Sequence, residues 1–144
     1  MANKKPLFSI ITVTFNAAEV LPPTLQSIKE QTFVDFEHLI IDGASRDNTL
    51  DVARIAGIEQ MIIHSEPDKG LYDAMNKSIA RAQGDFLIFL NAGDSFASPN
   101  SLYRIAALAS ADVDIIYGQT QIVNNQREVI GMRHLSAPTH LSPE

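Results

Sequence analysis

Four polar clusters carry most of the chain's chemistry, and each follows a short apolar run. Thr14-Phe15-Asn16 closes the first run and Asp42-Gly43-Ala44-Ser45 the second. Ser65-Glu66-Pro67-Asp68-Lys69-Gly70 closes the third and Asn91-Ala92-Gly93-Asp94 the fourth. A carboxylate at Asp42, the end of the second strand, accepts hydrogen bonds from ribose hydroxyls or from a base N–H. Phe15 offers an aromatic face on which a base stacks, and Lys69 offers a point charge for a phosphate. A carboxylate at Asp94 suits Mg²⁺ or Mn²⁺, hard cations that take one or two carboxylates plus diphosphate oxygens. Gathered in one crevice, these residues describe a nucleoside-diphosphate site. Any one Asn, Asp or Ser is equally well a helix cap. Three of the four loops, however, hold more acids and polar groups than capping requires.

Bringing the clusters together calls for a particular arrangement of elements. Leu7 to Thr14 is β-branched and apolar on both faces, as a strand buried between two layers is. Leu21, Leu25 and Ile28 then form a helical stripe, with Pro22 and Pro23 near its start. Phe36 to Ile41 is a second strand. Asp47, Asn48 and Thr49 open a short helix carrying Leu50, Ala53 and Ile55, with Gly57 as its stop. Gln60 to His64 is a third strand. Leu71, Met75, Ile79 and Ala82 mark the inward face of a third helix, closed by Gly84. Asp85 to Leu90 is a fourth strand. Pro99 and Asn100 open a fourth helix with Leu102, Ile105, Ala106 and Leu108 or Ala109 inward. Val113 to Tyr117 is expected as a fifth strand, and 119–124 with 128–133 as a hairpin. The last dozen residues show no period and are expected to be loosely ordered. This alternation predicts an α/β fold: a three-layer, Rossmann-like, mostly parallel sheet with helices on both faces. Ligands of such sheets bind beyond the carboxyl ends of the strands, where all four polar clusters lie.

Other chemistries are excluded by what the sequence lacks. No Gly-x-Gly-x-x-Gly follows the first strand, and no Gly-x-x-x-x-Gly-Lys-Ser/Thr phosphate loop occurs. There is no Gly-x-Ser-x-Gly elbow and no cysteine, which removes the usual acyl-transfer nucleophiles. His38, His64, His134 and His140 form no His-x-x-x-His pair, so zinc is not expected. His38 and His64 read as ordinary sheet residues. Seventeen acids against 11 bases give a formal net charge of −6, which argues against nucleic acid as a partner. The apolar runs are too short for a transmembrane segment. The start of the chain lacks the apolar core of a signal peptide. Absence of cysteine fits a reducing compartment. A length of 144 residues suits one domain, 1–144. The expected location is the cytoplasm, with peripheral attachment at the inner face of the membrane as the alternative.

From Pro6 to Tyr117 the chain resembles the nucleotide-sugar-binding half of family 2 glycosyltransferases with the GT-A fold. Phe8-Ser-Ile-Ile-Thr-Val-Thr-Phe-Asn16 is similar to the family's first strand, which usually ends Thr-Tyr-Asn. Thr24 to Thr32 resembles the first helix, and Ile40-Ile-Asp-Gly-Ala-Ser-Arg-Asp-Asn-Thr49 the Asp-rich segment after the second strand. Glu66-Pro-Asp-Lys-Gly-Leu-Tyr-Asp-Ala-Met-Asn76, with Gly84-Asp85, resembles a third block in exopolysaccharide and O-antigen relatives. The resemblance implies a nucleotide-sugar site formed by Thr12, Phe15, Asn16, Glu19, Asp42, Asp68, Lys69 and Asn76. Asp42 takes a uridine- or ribose-binding role, and Asp94 takes the metal. The family's Asp-x-Asp is here Asn91-Ala92-Gly93-Asp94, so a single acid is left, and Mg²⁺ or Mn²⁺ should bind weakly without donor.

By the same resemblance, a sugar passes with inversion from a nucleoside-diphosphate sugar, UDP favoured over GDP, to a glycan or lipid-linked acceptor. Such a displacement needs a general base, which the family places well downstream of the metal loop. Asp112, Asp114, Glu128 and Glu144 are the acids that follow Asp94, and none is assigned that role. The base is expected beyond Glu144, in a chain truncated on its acceptor side and possessing little activity alone. A homodimer through exposed apolar surface is a further expectation. The alternative in a different class is a non-catalytic nucleotide-binding or assembly module of the same fold. A purely structural domain whose strand-end acids are caps comes third.

Overall fold

The computed structural model describes residues 4–134. The chain divides into two units, one through Ala106 and one from Ala107 onward. In the first unit, strands β1 (Phe8–Thr14), β2 (Phe36–Asp42), β3 (Met61–Ser65) and β4 (Phe86–Phe89) form one sheet in the order β3-β2-β1-β4. All three pairings are parallel: Thr14 sits opposite Asp42, Asp42 opposite Ser65, and Phe8 opposite both Phe36 and Phe86. Helices α1 (Leu21–Lys29), α2 (Thr49–Ile55) and α3 (Leu71–Arg81) connect the strands, and α4 (Ser101–Ala106) follows β4. Strands β1, β2 and β3 step one way across the sheet, and the chain then returns over β2 and β1 to lay down β4. Right-handed crossovers therefore put α3 on the face opposite α1 and α2. The reversal between β1 and β4 makes the switch point at which a crevice opens. The parallel α/β architecture expected from the alternation is the one observed.

β1 and β2 are buried almost throughout because they lie between layers. On one face Ile11, Leu39 and Ile41 pack against Ala74 of α3, with Val13 and Ala82 beside them. The fully buried residues of α3 are thus Ala74 and Ser78, and of the expected stripe Ala82 packs beside the core. Leu71 and Ile79 stay 46% and 51% exposed. Ile55 of α2 is likewise exposed, and Thr49 and Ala53 face inward. Gly57, with φ of 67°, stops α2 as expected.

Gly84 has another purpose than closing α3, whose last turn ends in an extended Ala82. A β-carbon at Gly84 would lie 2.4 Å from the Ser9 amide nitrogen and 2.6 Å from the Phe8 carbonyl carbon. Glycine is needed there for close passage of two backbones. Leu102 of α4 is fully buried, whereas Leu108 lies beyond the end of the helix and is exposed.

In the second unit β5 (Gln121–Val123) and β6 (Val129–Met132) pair antiparallel, as the hairpin reading expects. The Asn124 side chain closes the turn by accepting from the amides of Gln126 and Glu128. Val113 to Tyr117 is not a strand. Its Ile115 is exposed, and it finds no ladder among the described residues, without which β-branched composition does not make a strand. Most of the stretch expected to be loosely ordered lies outside the described residues.

Candidate functional site

The carboxyl ends of β1, β2 and β3 are drawn together by Asp42. Its side chain is buried and receives four hydrogen bonds. Thr14 Oγ1, at 2.9 Å, and Ser45 Oγ donate to Oδ1. The Ser45 amide, at 2.9 Å, and Ser65 Oγ, at 2.7 Å, donate to Oδ2. Burial pushes this carboxyl upward in pKa, but the hydrogen bonds from Ser45, Ser65 and Thr14 outweigh it and hold it below the usual aspartate range. Both oxygens are committed within the protein, which makes Asp42 the knot of the site's floor.

The first and second loops are fastened to each other in the same way. The Asn16 amide donates to Ser45 Oγ at 2.8 Å, and Asn16 Oδ1 accepts from the Arg46 amide at 2.9 Å. Ala17 donates to Thr49 Oγ1 and Ala18 to Asp47. Asn16 and Ala44 both adopt positive φ, 48° and 60°, a conformation asparagine takes readily and alanine rarely. Hydrogen bonds from Thr49, its hydroxyl first, hold the Asp47 carboxyl low in pKa against a smaller effect of desolvation.

Above that floor, the Phe15 ring and the Asp68 carboxylate converge on Gly43. A β-carbon at Gly43 would stand 2.7 Å from Asp68 Oδ2 and 3.3 Å from Phe15 Cδ2. Asp68 Oδ1 accepts from the Gly70 amide at 2.8 Å. Oδ2 takes no hydrogen bond from the described residues, and Phe15 is 65% exposed. An open aromatic face and an open carboxylate oxygen thus stand side by side. Gly43 makes this possible by having no side chain.

The loop after β4 is anchored to α1. Gly93, at φ of 103°, donates to Thr24 Oγ1 at 2.9 Å, and the Phe96 amide donates to Ser27 Oγ at 3.2 Å. Asp94 is exposed at its tip. Asn91 Oδ1 is a buried acceptor with no hydrogen-bond partner among the described residues. Among the described residues no three His, Cys, Asp or Glu side chains gather as a metal site. A single exposed carboxylate fits a hard cation that arrives with diphosphate oxygens and completes its shell from them.

The remaining expected site residues make no contact with the Phe15–Gly43–Asp68 cluster that the structure records. Thr12 is fully buried inside β1, where its hydroxyl lies 2.9 Å from His38 Nε2. His38 is the ordinary sheet residue expected, with burial pushing its pKa down to about 3. Glu19, Lys69 and Asn76 are exposed, and the Lys69 amide donates to Asp73. Ser45 and Ser65 were not singled out by sequence reasoning, although the Asp-x-x-Ser spacing of Asp42 and Ser45 is a turn signal. Asp73 and Lys77 were also missed, and the signal that would have found them is that Asp73 stands four residues after Lys69 and four before Lys77.

A parallel sheet in this order, with its polar rim at the carboxyl ends, defines an α/β protein of the Rossmann-like GT-A type. Residues 9–142 match the family described as glycosyl transferase family 2. The chain belongs to that family, as its motifs led us to expect. It is 46% identical over 118 residues to the "PGL/p-HBAD biosynthesis glycosyltransferase" of Mycobacterium bovis (strain BCG / Pasteur 1173P2), covering 78% of this chain and 46% of that protein. The chain therefore spans about half the length of the curated relatives it matches first. Among solved structures it is similar to S. aureus TarS 1–349 in complex with UDP-GlcNAc, at TM-score 0.65 and 25% identity, over 69% of this chain and 30% of that one. It also shares the fold of the mannosyltransferase PcManGT from Pyrobaculum calidifontis, crystallised with GDP-Man and Mn²⁺, at TM-score 0.67 and 22% identity, over 88% and 38% of the two chains.

Proposed function

We propose that this chain binds the nucleoside-diphosphate-sugar donor of an inverting glycosyltransferase, whose acceptor is a glycan or lipid-linked glycan. The observation that carries the reading is the convergence of Phe15 and Asp68 over Gly43 beside the switch point of the sheet. Phe15 stacks on the base, and Asp68 Oδ2 accepts one base N–H. Uracil presents a single N–H between two carbonyls, whereas guanine presents two adjacent donors that call for both carboxylate oxygens. Asp68 Oδ1 is already engaged by Gly70, so UDP is the favoured nucleotide. The TarS complex, with its UDP-GlcNAc, lends support. Asp42 holds the rim together and lends no free oxygen.

In the complete reaction the acceptor hydroxyl attacks the anomeric carbon. The new C–O bond forms as the bond to the diphosphate breaks, and a general base takes the hydroxyl proton. No described residue of this chain is assigned as that base. Asp94 would hold Mg²⁺ or Mn²⁺, which supplies positive charge against the departing diphosphate. Lys69 adds a second cation for the phosphates. Among the described residues no helix is long and apolar enough to cross a membrane. We place the protein in the cytoplasm, with peripheral membrane attachment as the alternative.

The second reading, a nucleotide-binding module without turnover, is favoured by Asn91, an amide where the family's motif has an acid. Calorimetry with UDP and GDP, with and without Mn²⁺, separates these readings from a structural domain. UDP should bind more tightly than GDP and more tightly with Mn²⁺. Asp68→Asn should weaken UDP by about tenfold, the loss of one charge-assisted hydrogen bond, and Asp94→Ala should abolish the effect of Mn²⁺. Binding indifferent to both substitutions would overturn the site. Transfer assays with UDP-sugars then distinguish an enzyme from a module.

A further inference from the structure

We propose that Lys77 is a positioning residue for the donor site, its single ammonium strapping the β3–α3 loop so that Asp68 meets Phe15 over Gly43. The proposal rests on the reading of Asp68 as a donor contact.

The loop from Ser65 to Gly70 has few bonds of its own. The Glu66 amide donates to the Asp42 carbonyl at one end, and the Ala74 amide donates to the Gly70 carbonyl at the other. Pro67 has no N–H, so its carbonyl is the one backbone polar group by which it is held. Lys77 Nζ donates to that carbonyl at 3.0 Å from two turns into α3. The same ammonium lies 3.5 Å from Glu66 Oε1 and 3.3 Å from Asp73 Oδ2. Asp73 in turn accepts the Lys69 amide at 2.9 Å. One charge therefore reaches the residue before Asp68 directly and the residue after it through Asp73. Arg81 adds a weaker hold on Glu66 at 3.4 Å. The Lys77 side chain is only 28% exposed, so water competes less for it than for a fully solvated lysine. Among the described residues none of these side chains is hydrogen-bonded or ion-paired to Asp68 itself, which is why the role is one of placement.

The test is a double-mutant cycle on the full chain with UDP as the probe, together with amide exchange in the absence of nucleotide. Lys77→Met should weaken UDP by about tenfold and speed exchange of the Lys69 and Gly70 amides. Lys77→Arg should restore most of both. In an Asp68→Asn background, Lys77→Met should weaken UDP no further, because the carboxylate oxygen it positions is gone. Unchanged Lys69 and Gly70 exchange in Lys77→Met overturns the strap whatever UDP does. Equal weakening in the two backgrounds overturns action through Asp68. If the wild-type chain fails to bind UDP, or Asp68→Asn binds it equally well, the donor reading of Asp68 falls and takes the functional claim with it. The exchange data then still report the strap separately.

Discussion

Asp42 illustrates how a strand-end acid is committed to the fold. Its four hydrogen bonds come from β1, from β3 and from the turn after β2, so three chain segments depend on one charge. Asp42→Asn replaces an acceptor with an NH₂ that faces donors, and should lower stability by about 2–3 kcal/mol in urea unfolding. The sign of the pH dependence follows from the depressed folded-state pKa. The contribution is present above the unfolded aspartate value of about 4 and disappears as the pH falls through the lower folded value. Wild type should therefore lose stability on acidification below about pH 4, and Asp42→Asn should lose less over the same range. Equal acid sensitivity of the two proteins would contradict this role. Which oxygen of Asp42 bonds to which hydroxyl was not legible in the sequence, because Ser65 lies far from it along the chain and meets it only through strand register. The pairing of Asp68 with Phe15 was hidden for the same reason.

At the scale of elements, all four strands of the parallel sheet, α1 to α4 and the hairpin were legible from periodicity, and the errors have a common cause. For α3, Leu71, Met75, Ile79 and Ala82 form a persuasive stripe, yet Ala74 is the helix residue buried against the sheet and only Ala82 of the stripe packs beside it. A period locates a helix, but which side chains meet the sheet is set by tertiary packing. Val113 to Tyr117 has strand composition and no partner strand among the described residues. Gly84 looks like a helix stop and is instead the point where the chain entering β4 passes against β1. The Gly84 amide also donates to Ser9 Oγ at 2.8 Å, and Ser9 donates to the buried carboxylate of Glu37. Gly84→Ala must displace the backbone of a buried central strand, since the added methyl would meet Ser9 and Phe8. We expect a loss of about 2–3 kcal/mol, read as a lower urea midpoint with unchanged slope. Stability equal to wild type would show that the two backbones are free to separate.

At the scale of the molecule, strand order decides what the polar clusters can do together. In the order β3-β2-β1-β4 the loops after β1, β2 and β3 are neighbours, and the reversal between β1 and β4 lies beside the first of them. The same order leaves β4 at the edge of the four-stranded sheet. Leu87 and Phe89 project from one face of that strand and remain 38% and 36% exposed. An apolar strand at a sheet edge promotes association, so sedimentation equilibrium should show self-association of the wild type that Leu87→Lys reduces. A monomer at the highest attainable concentration would remove this expectation. The amino-acid sequence by itself determined the alternation of elements, the parallel α/β class, the family and the loops that carry the polar chemistry. These are local or patterned properties, set by side-chain period, turn chemistry and motif spacing. Only the tertiary structure decided that Asp42 is fully bonded within the protein, that Thr12 is buried against His38, and that Phe15, Gly43 and Asp68 converge. It also revealed Lys77 behind them. Those outcomes depend on strand register and on the distance between layers, which couple residues far apart in the chain and leave no local trace.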